Sequence, residues 1–249
     1  MKTFNSEFTH SYQTYSFGYC NYAEREPHDR LSDIYAQGYL PYSGSPGVKH
    51  MFYMARSARV YLPDFALTSE NRRVAQKFDG TLKRKSWSSD KFRVEETFIS
   101  FCLSYFAQRH GDIVMPRERL LHILDADLIS YIVEYRRAQE IVAYVFEVAD
   151  TAVTHFWFSF YDLQLIQQSL GMWLMVDSAR EAKRTGKSYF YVGTVYGEKA
   201  LYKTNFKSLE YWDGSTWVAD LKKLRSLSRK DSARTYDAID EWKAGHKLY

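Results

Sequence analysis

Hydrophobic positions change their period at about Glu140, and the elements that can be predicted follow from that change. EIVAYVFEVAD (140–150) and VTHFWFSFYD (153–162) are apolar, aromatic runs separated by a short polar break, which predicts a hairpin. From Gln167 to Thr185 the period becomes helical. Met172, Met175, Val176, Ala179 and Ala182 share one face, and Arg180, Lys183, Arg184 and Lys187 gather at the C-terminal end, where the helix dipole favours cations. Gly186 ends this helix, and SYFYVGTV (188–195) reads as a buried strand. SLEYW (208–212), the turn Asp213-Gly214 and STWVADL (215–221) predict a last hairpin.

Before residue 140 the signal is more broken. Pro27, Pro41, Pro46 and Pro63 and the loop SGSPG (43–47) make the first 80 residues turn-rich. Between the breaks, 31–37 reads as a short helix and 51–62 as extended, alternating structure, and Asp79-Gly80 as a turn. KRKSWSSDK (83–91) reads as a polar linker. A helix is expected over 94–109, closed by Gly111, and a short helix or connection over 117–125.

The order of elements, two strands, a helix opened by a glycine and then more strands, resembles an α+β acyltransferase core of the acetyltransferase (GNAT) type. That gives a fold expectation: a mixed, mostly antiparallel sheet flanked by helices, with a smaller turn-rich N-terminal region. The expected divisions are 1–82, 83–221 and a basic tail at 222–249.

Composition narrows the classes. Aromatic residues make up 17% of the 249, enough to fill a core and still leave rings for stacking on bases. A net charge of +4 permits an anionic partner without demanding one. Two cysteines without a CxxC spacing argue against a disulfide framework, a four-ligand zinc site or an iron–sulfur cluster, and a reducing cytoplasm is the simplest expected compartment. The N-terminal residues hold no apolar core of a signal peptide, and no apolar run reaches the ~18 residues of a membrane span. G-x-S-x-G, H-E-x-x-H, Walker and G-x-G-x-x-G motifs are all missing.

Five segments together resemble the aminoacyl-tRNA–protein transferases of the arginyl- and leucyl-transferase type. They are LPDFALTSENRRVAQKFDG (62–80), FCLSYFAQRHGDIVM (101–115), FWFSFYD (156–162), SLGMWLMVDSAREAKRTGKSYFYVG (169–193) and YKTNF (202–206), the last followed by Leu209-Glu210 and Trp217. Their order and spacing are collinear over about residues 20–217. The chain departs from the pattern where the family usually carries a cysteine cluster: Tyr53 to Arg59 has none. The loop from Gly193 to Tyr202 is also shorter than usual, and Thr194 stands where an aromatic is common.

The resemblance implies transfer of an amino acid from a tRNA ester to an amine, with no metal and no bound cofactor, the charged tRNA being the co-substrate. Such a reaction needs positioning, a proton acceptor and donors for the oxyanion, and no side-chain nucleophile. Asp162, ending its strand, is a candidate base or orienter of the amine, and equally a helix cap. Lys203 and Tyr202 are candidates for the catalytic set with Asp162, and Lys203 also for binding an acidic acceptor or the tRNA end. Arg109 is a candidate clamp for a carboxylate or phosphate, with His110 next to it as a structural residue. Arg72 and Arg73 point to different helix faces, so at most one belongs to a site. Ser169, Leu170 and Gly171 offer helix N-terminal N–H groups to a phosphate. Tyr191, Tyr196 and Tyr202 are candidates for packing around the terminal adenosine, and Phe206 completes the substrate-binding set. The tail at 222–237, with six basic residues between Lys222 and Arg234 against one acid in that span, Asp231, reads as a solvated surface helix or an arm on tRNA phosphates. The expected partners are charged tRNA and the amine of a protein, peptide or small molecule, and no membrane. Two other readings stay open: an acetyl-coenzyme A N-acyltransferase, and a non-catalytic tRNA-binding relative.

Overall fold

A computed structural model describes residues 1–12, 16–45 and 47–233 of the chain. Two strands open it, β1 (Lys2–Ser11) and β2 (Ser16–Glu24). They are followed by α1 (Leu31–Ala36), β3 (Tyr39–Pro41) and β4 (Met51–Met54). These four strands form one antiparallel sheet in the order β1-β2-β4-β3.

Next come β5 (Ser57–Tyr61), α2 (Ser69–Phe78), β6 (Leu82–Ser88), α3 (Glu96–His110), α4 (Arg117–Asp125), β7 (Tyr131–Arg137), β8 (Glu140–Ala149) and β9 (Val153–Tyr161). Then α5 (Leu170–Arg184), β10 (Tyr189–Thr194), β11 (Leu209–Trp212), β12 (Trp217–Val218) and α6 (Leu221–Ala233) complete it. The second sheet has eight strands in the order β12-β11-β5-β10-β9-β8-β7-β6. Only β9 and β10 run parallel in it, because α5 carries the chain across between them. The expected α+β class, a mixed and mostly antiparallel sheet flanked by helices, is what the structure has.

Alternation along the strands assigns the two faces. Val133, Val145 and Phe190 join a core under α2, α5 and Leu224 of α6. Ile132, Tyr144 and Phe146 point the other way, into a core with α3 and α4. Val148, Val153 and Tyr191 pack beneath α1 and the small sheet. Residues 57–61, on the N-terminal side of the boundary expected at 82, thus supply a central strand of the larger sheet, while residues before 55 supply the smaller one.

Three departures from the sequence reading have clear causes. The polar segment 83–91 is not a linker: its first six residues belong to β6, the edge strand paired with β7. Exposed Lys83 and Lys85 guard that edge against further pairing, and that charge is what read as linker. The helix expected from Gln167 begins at Leu170, after a 3₁₀ turn at Leu163–Gln168 and a left-handed Ser169 with φ of 69°. The basic tail is not a freely solvated helix. Leu224 and Ser228 of α6 are buried, Arg225 donates to Thr204 Oγ1 at 3.0 Å, and Asp231 accepts two hydrogen bonds from Arg56 at 2.7 and 3.0 Å. The rest of the tail, from residue 234, lies outside the described residues.

β9 and β10 do not stay together. They pair at Val153–Tyr189, Thr154–Phe190 and His155–Tyr191 and then part. Each strand bulges just past the last pair, β9 against β8 at Trp157 and β10 against β5 at Val192. A bulge bends its strand and adds local twist, so two of them at one level open a wedge between parallel neighbours. The 3₁₀ turn at Glu198–Asn205 closes the mouth of that wedge, held from behind by α6.

Candidate active site

Two cavities meet in the wedge. The larger, about 540 Å³, lies among α3, the N-terminal turn of α5 and the 198–205 turn. Tyr105, Phe106, Phe158, Tyr161 and Met172 give it an apolar wall, and Arg109, His110 and Lys199 give it a basic rim. The smaller, about 300 Å³, opens toward the N-terminal sheet, with Leu40, Pro41, Ser43, Tyr53, Arg119 and His155 in its wall. Trp157, Phe158, Ser159, Tyr202 and Lys203 belong to both. Among the described residues no aspartate or glutamate lines either cavity.

Lys203 stands at the partition. Its Nζ donates to the Thr194 carbonyl at 2.9 Å. Burial pushes its pKa down to about 8, since an ammonium loses hydration there and gains no counter-ion. Gly193 packs beside it, and its backbone conformation is one that favours glycine. A Cβ at that position would lie 3.5 Å from Lys203 Nζ and 3.6 Å from His155 Nε2, and φ at Gly193 is +81°. His155 is buried, its Nδ1 in a 2.8 Å hydrogen bond with the Tyr35 hydroxyl. Burial, and then the nearby Lys203, lower its pKa to about 3, so the imidazole is neutral at any ordinary pH.

Of the other sequence candidates, Tyr202, Arg109, Ser169, Gly171 and Tyr196 line the larger cavity together with Lys203. Gly171 is a glycine because a Cβ there would come within 2.8 Å of the Tyr161 hydroxyl. His110 also lines it, its pKa lowered by burial and then by Arg109 and Lys199.

The remaining candidates lie elsewhere. Asp162 lines neither cavity: its carboxylate accepts from the Gln164 N–H at 2.9 Å and caps the 3₁₀ turn that follows β9. Leu170 is fully buried in the core under α5. Tyr191 is also buried, 4.7 Å ring to ring from Tyr35 and 5.6 Å from Trp217, with its hydroxyl 3.4 Å from Arg59. Phe206 is buried against Phe65. Arg72 donates to the Leu67 carbonyl at 2.7 Å on exposed α2. Arg73 is paired with Glu70 on the same helix.

Sequence reasoning passed over His155, Trp157, Tyr105, Tyr161 and Arg119. His155 carried a usable signal, a single imidazole inside an otherwise apolar aromatic strand. Arg119 carried none, because its place by the smaller cavity depends on bonds to Ser43 O at 2.9 Å and Val114 O at 2.7 Å, both long-range or loop contacts.

Comparison with known proteins agrees with the segments that carry the sequence resemblance. The family model for the C terminus of arginine-tRNA-protein transferase matches residues 78–213, more than half of the chain. An aspartate/glutamate leucyltransferase of Cereibacter sphaeroides is 27% identical over 176 residues, covering 66% of this chain and 61% of that protein. One from Methylorubrum extorquens is 28% identical over 184 residues, covering 65% and 71%. This chain thus spans about 61% of the length of the first of these relatives. Among solved structures, L-PGS from Bacillus licheniformis is similar with a TM-score of 0.43 and 12% identity over 73% of this chain and 67% of that one. FemX is similar with a TM-score of 0.43 and 9% identity over 66% and 59%. Both likenesses are distant, and nothing about function follows from them. Among the described residues no helix is long and apolar enough to cross a membrane, and no three His, Cys, Asp or Glu side chains are grouped to hold a metal. The family match runs through every residue that lines the larger cavity, and on that match the chain belongs to the arginine-tRNA-protein transferase family.

Proposed function

We propose that the chain transfers an amino acid from charged tRNA to the amine of a second substrate. One observation carries this reading: two cavities of different chemistry share a single wall that holds Lys203. A tRNA 3′ end fits the larger cavity, whose basic rim suits phosphate and whose aromatic wall suits a terminal base. The acceptor amine enters the smaller cavity and meets the ester across the partition. Bringing both partners to one point supplies much of the catalysis such a reaction requires, because the ester is already activated.

The chemistry of the walls favours particular substrates. A donor arginine would bury a guanidinium beside Arg109 and Lys199 with no carboxylate among the described lining residues to meet it, at a heavy desolvation cost. A leucine side chain meets Phe106, Phe158 and Met172 instead. The smaller cavity has Arg119 as its lasting cation and, among the described residues, no acid, which suits an acceptor bearing a carboxylate, such as a peptide that begins with aspartate or glutamate. Relatives named aspartate/glutamate leucyltransferase support the same pair of choices. The reaction would take place wherever charged tRNA is kept, in the cytoplasm.

The test is direct. The protein is incubated with individually charged tRNAs and with peptides that begin with Asp, Glu, Lys or Ala. Leucyl-tRNA should be consumed with formation of leucyl-Asp and leucyl-Glu peptides. Consumption of no charged tRNA overturns the reading, and turnover of acetyl-coenzyme A in its place would put the activity with the coenzyme A-dependent acyltransferases.

A further inference from the structure

We infer that Lys203, as a free amine, is the proton acceptor of the transfer and returns that proton to the leaving ribose oxygen. The inference rests on the transfer reading above and names the group that reading leaves open. Amide formation from an amine and an ester must remove one proton from nitrogen and deliver one to oxygen. The carboxylate that sequence pointed to, Asp162, is occupied as a cap and lies outside both cavities. Among the described residues no other aspartate or glutamate lines either space. His155 presents only Nε2, its Nδ1 being held by Tyr35, and the neutral ring in its buried site binds a proton too weakly to serve.

Lys203 has the geometry for the task. Its side chain lines both the acceptor and the donor cavity. The Thr194 carbonyl at 2.9 Å accepts one N–H and so aims the nitrogen, leaving its lone pair for another partner when the amine is uncharged. Among the described residues, the titratable and charged groups that line the two cavities around it are neutral or cationic. They are Tyr105, Arg109 and His110 from α3, His155 and Tyr161 from β9, Tyr53 from β4, Arg119 from α4, Tyr196, and Lys199 and Tyr202 from its own turn. None is a carboxylate that would stabilise an ammonium, and burial disfavours it. With its pKa brought down to about 8, the side chain nearly matches an α-amine, whose ordinary value is about 7.7–8.0, and near-matched partners exchange a proton readily.

The step balances without any further reactant. As the acceptor nitrogen bonds to the ester carbonyl carbon, one N–H proton moves to Lys203 Nζ and a tetrahedral oxyanion forms. When that intermediate collapses, the C–O bond to ribose breaks and Nζ donates the same proton to the ribose oxygen. The products are an amide and an uncharged tRNA, and Lys203 is again a free amine. An acceptor that arrives as an ammonium loses its extra proton to water beforehand.

Two measurements on the whole protein test this. The first compares kcat and KM for charged tRNA in wild type, K203R and K203M, with thermal melts to check folding. K203R keeps a cation and loses the base. Both variants should lose about 100-fold or more in kcat with KM for tRNA nearly unchanged. K203R with activity within tenfold of wild type overturns the inference, because a positive charge would then suffice. The second titrates the Lys203 amine by 15N NMR in wild type, free of any variant's folding. A midpoint near 8 is expected, and an ordinary lysine value of about 10.4 overturns the inference. A wild type that consumes no charged tRNA removes the transfer reading and the inference with it. An active wild type with an active K203R removes the inference alone.

Discussion

The two cavities that share Lys203 are built from different parts of the chain. Every residue lining the larger one falls between Tyr105 and Lys203, inside the segment matched by the family model. The smaller one takes Leu40, Pro41, Ser43 and Tyr53 from the N-terminal region, outside that segment. The larger cavity is therefore carried by the core sheet and its helices, while the smaller one is completed by a separate sheet. On the proposed reading, altering the small sheet would change the acceptor without touching the donor side. The segment Tyr53 to Arg59, where the family's cysteine cluster is missing, runs from β4 of the small sheet into β5 of the large one.

The change that should break both halves at once is Gly193→Val. It forces a β-branched residue into a left-handed backbone, costing about 1–2 kcal/mol, and drives atoms toward Lys203 and His155. Transfer activity should fall below about 1% of wild type for every donor and acceptor, since misplacing a reacting group by an ångström costs about 100-fold. A melting curve separates that loss from unfolding. Retained activity would show that the partition is not where the two substrates meet.

Two arginine substitutions sharpen the contrast. Arg109→Ala removes a cation from the larger cavity alone, so KM for charged tRNA should rise about tenfold, the value of one charge-assisted contact, while KM for the peptide holds. Arg119→Lys acts on the smaller cavity alone, keeping the charge and losing the planar fork. There the peptide KM should rise by a similar factor for Asp- and Glu-peptides, with tRNA unaffected. If both changes move the same constant, the division of labour between the cavities is wrong.

How much of this was legible in the sequence depends on where each signal lives. The hairpin at 140–162, the helical face of α5 and the strand at 188–195 follow from periodicity, which each segment carries within itself. Lys203, Tyr202, Arg109 and Gly171 were marked by motif, and the fold brings them to one cavity. The wedge was not legible, because it depends on two bulges on strands that are neighbours only in space. Strand β7 went unread because Glu134 and Arg136 interrupt its apolar run. Those two pair at 2.6 Å, and that pairing is what lets Glu134 be buried. Asp162 and Tyr191 show the opposite limit: the residue type allows a site role, and tertiary neighbours decide that one caps a turn and the other fills a core.

The weakest expected effect on catalysis comes from behind the site, at the joint between α6 and the core. Asp231 accepts two hydrogen bonds from Arg56 and one from the Gly197 N–H at 3.1 Å, and Arg56 lies 4.5 Å over the Tyr196 ring. Partial burial works against the Asp231 carboxylate charge, and the Arg56 and Gly197 bonds outweigh it, so its pKa is lowered in the folded protein. A lowered carboxylate contributes stability above its unfolded pKa of about 3.9 and loses it as pH falls through the folded value. Asp231→Asn should therefore reduce stability by about 1–3 kcal/mol at neutral pH, and the gap from wild type should close as the medium is acidified below about pH 4. Because Asp231 lines neither cavity, kcat at room temperature should stay at the wild-type level. Denaturant melts at pH 7 and pH 3 with a rate assay at pH 7 check all three points. A fall in kcat without a fall in stability would mean that α6 belongs to the site and does not merely brace it.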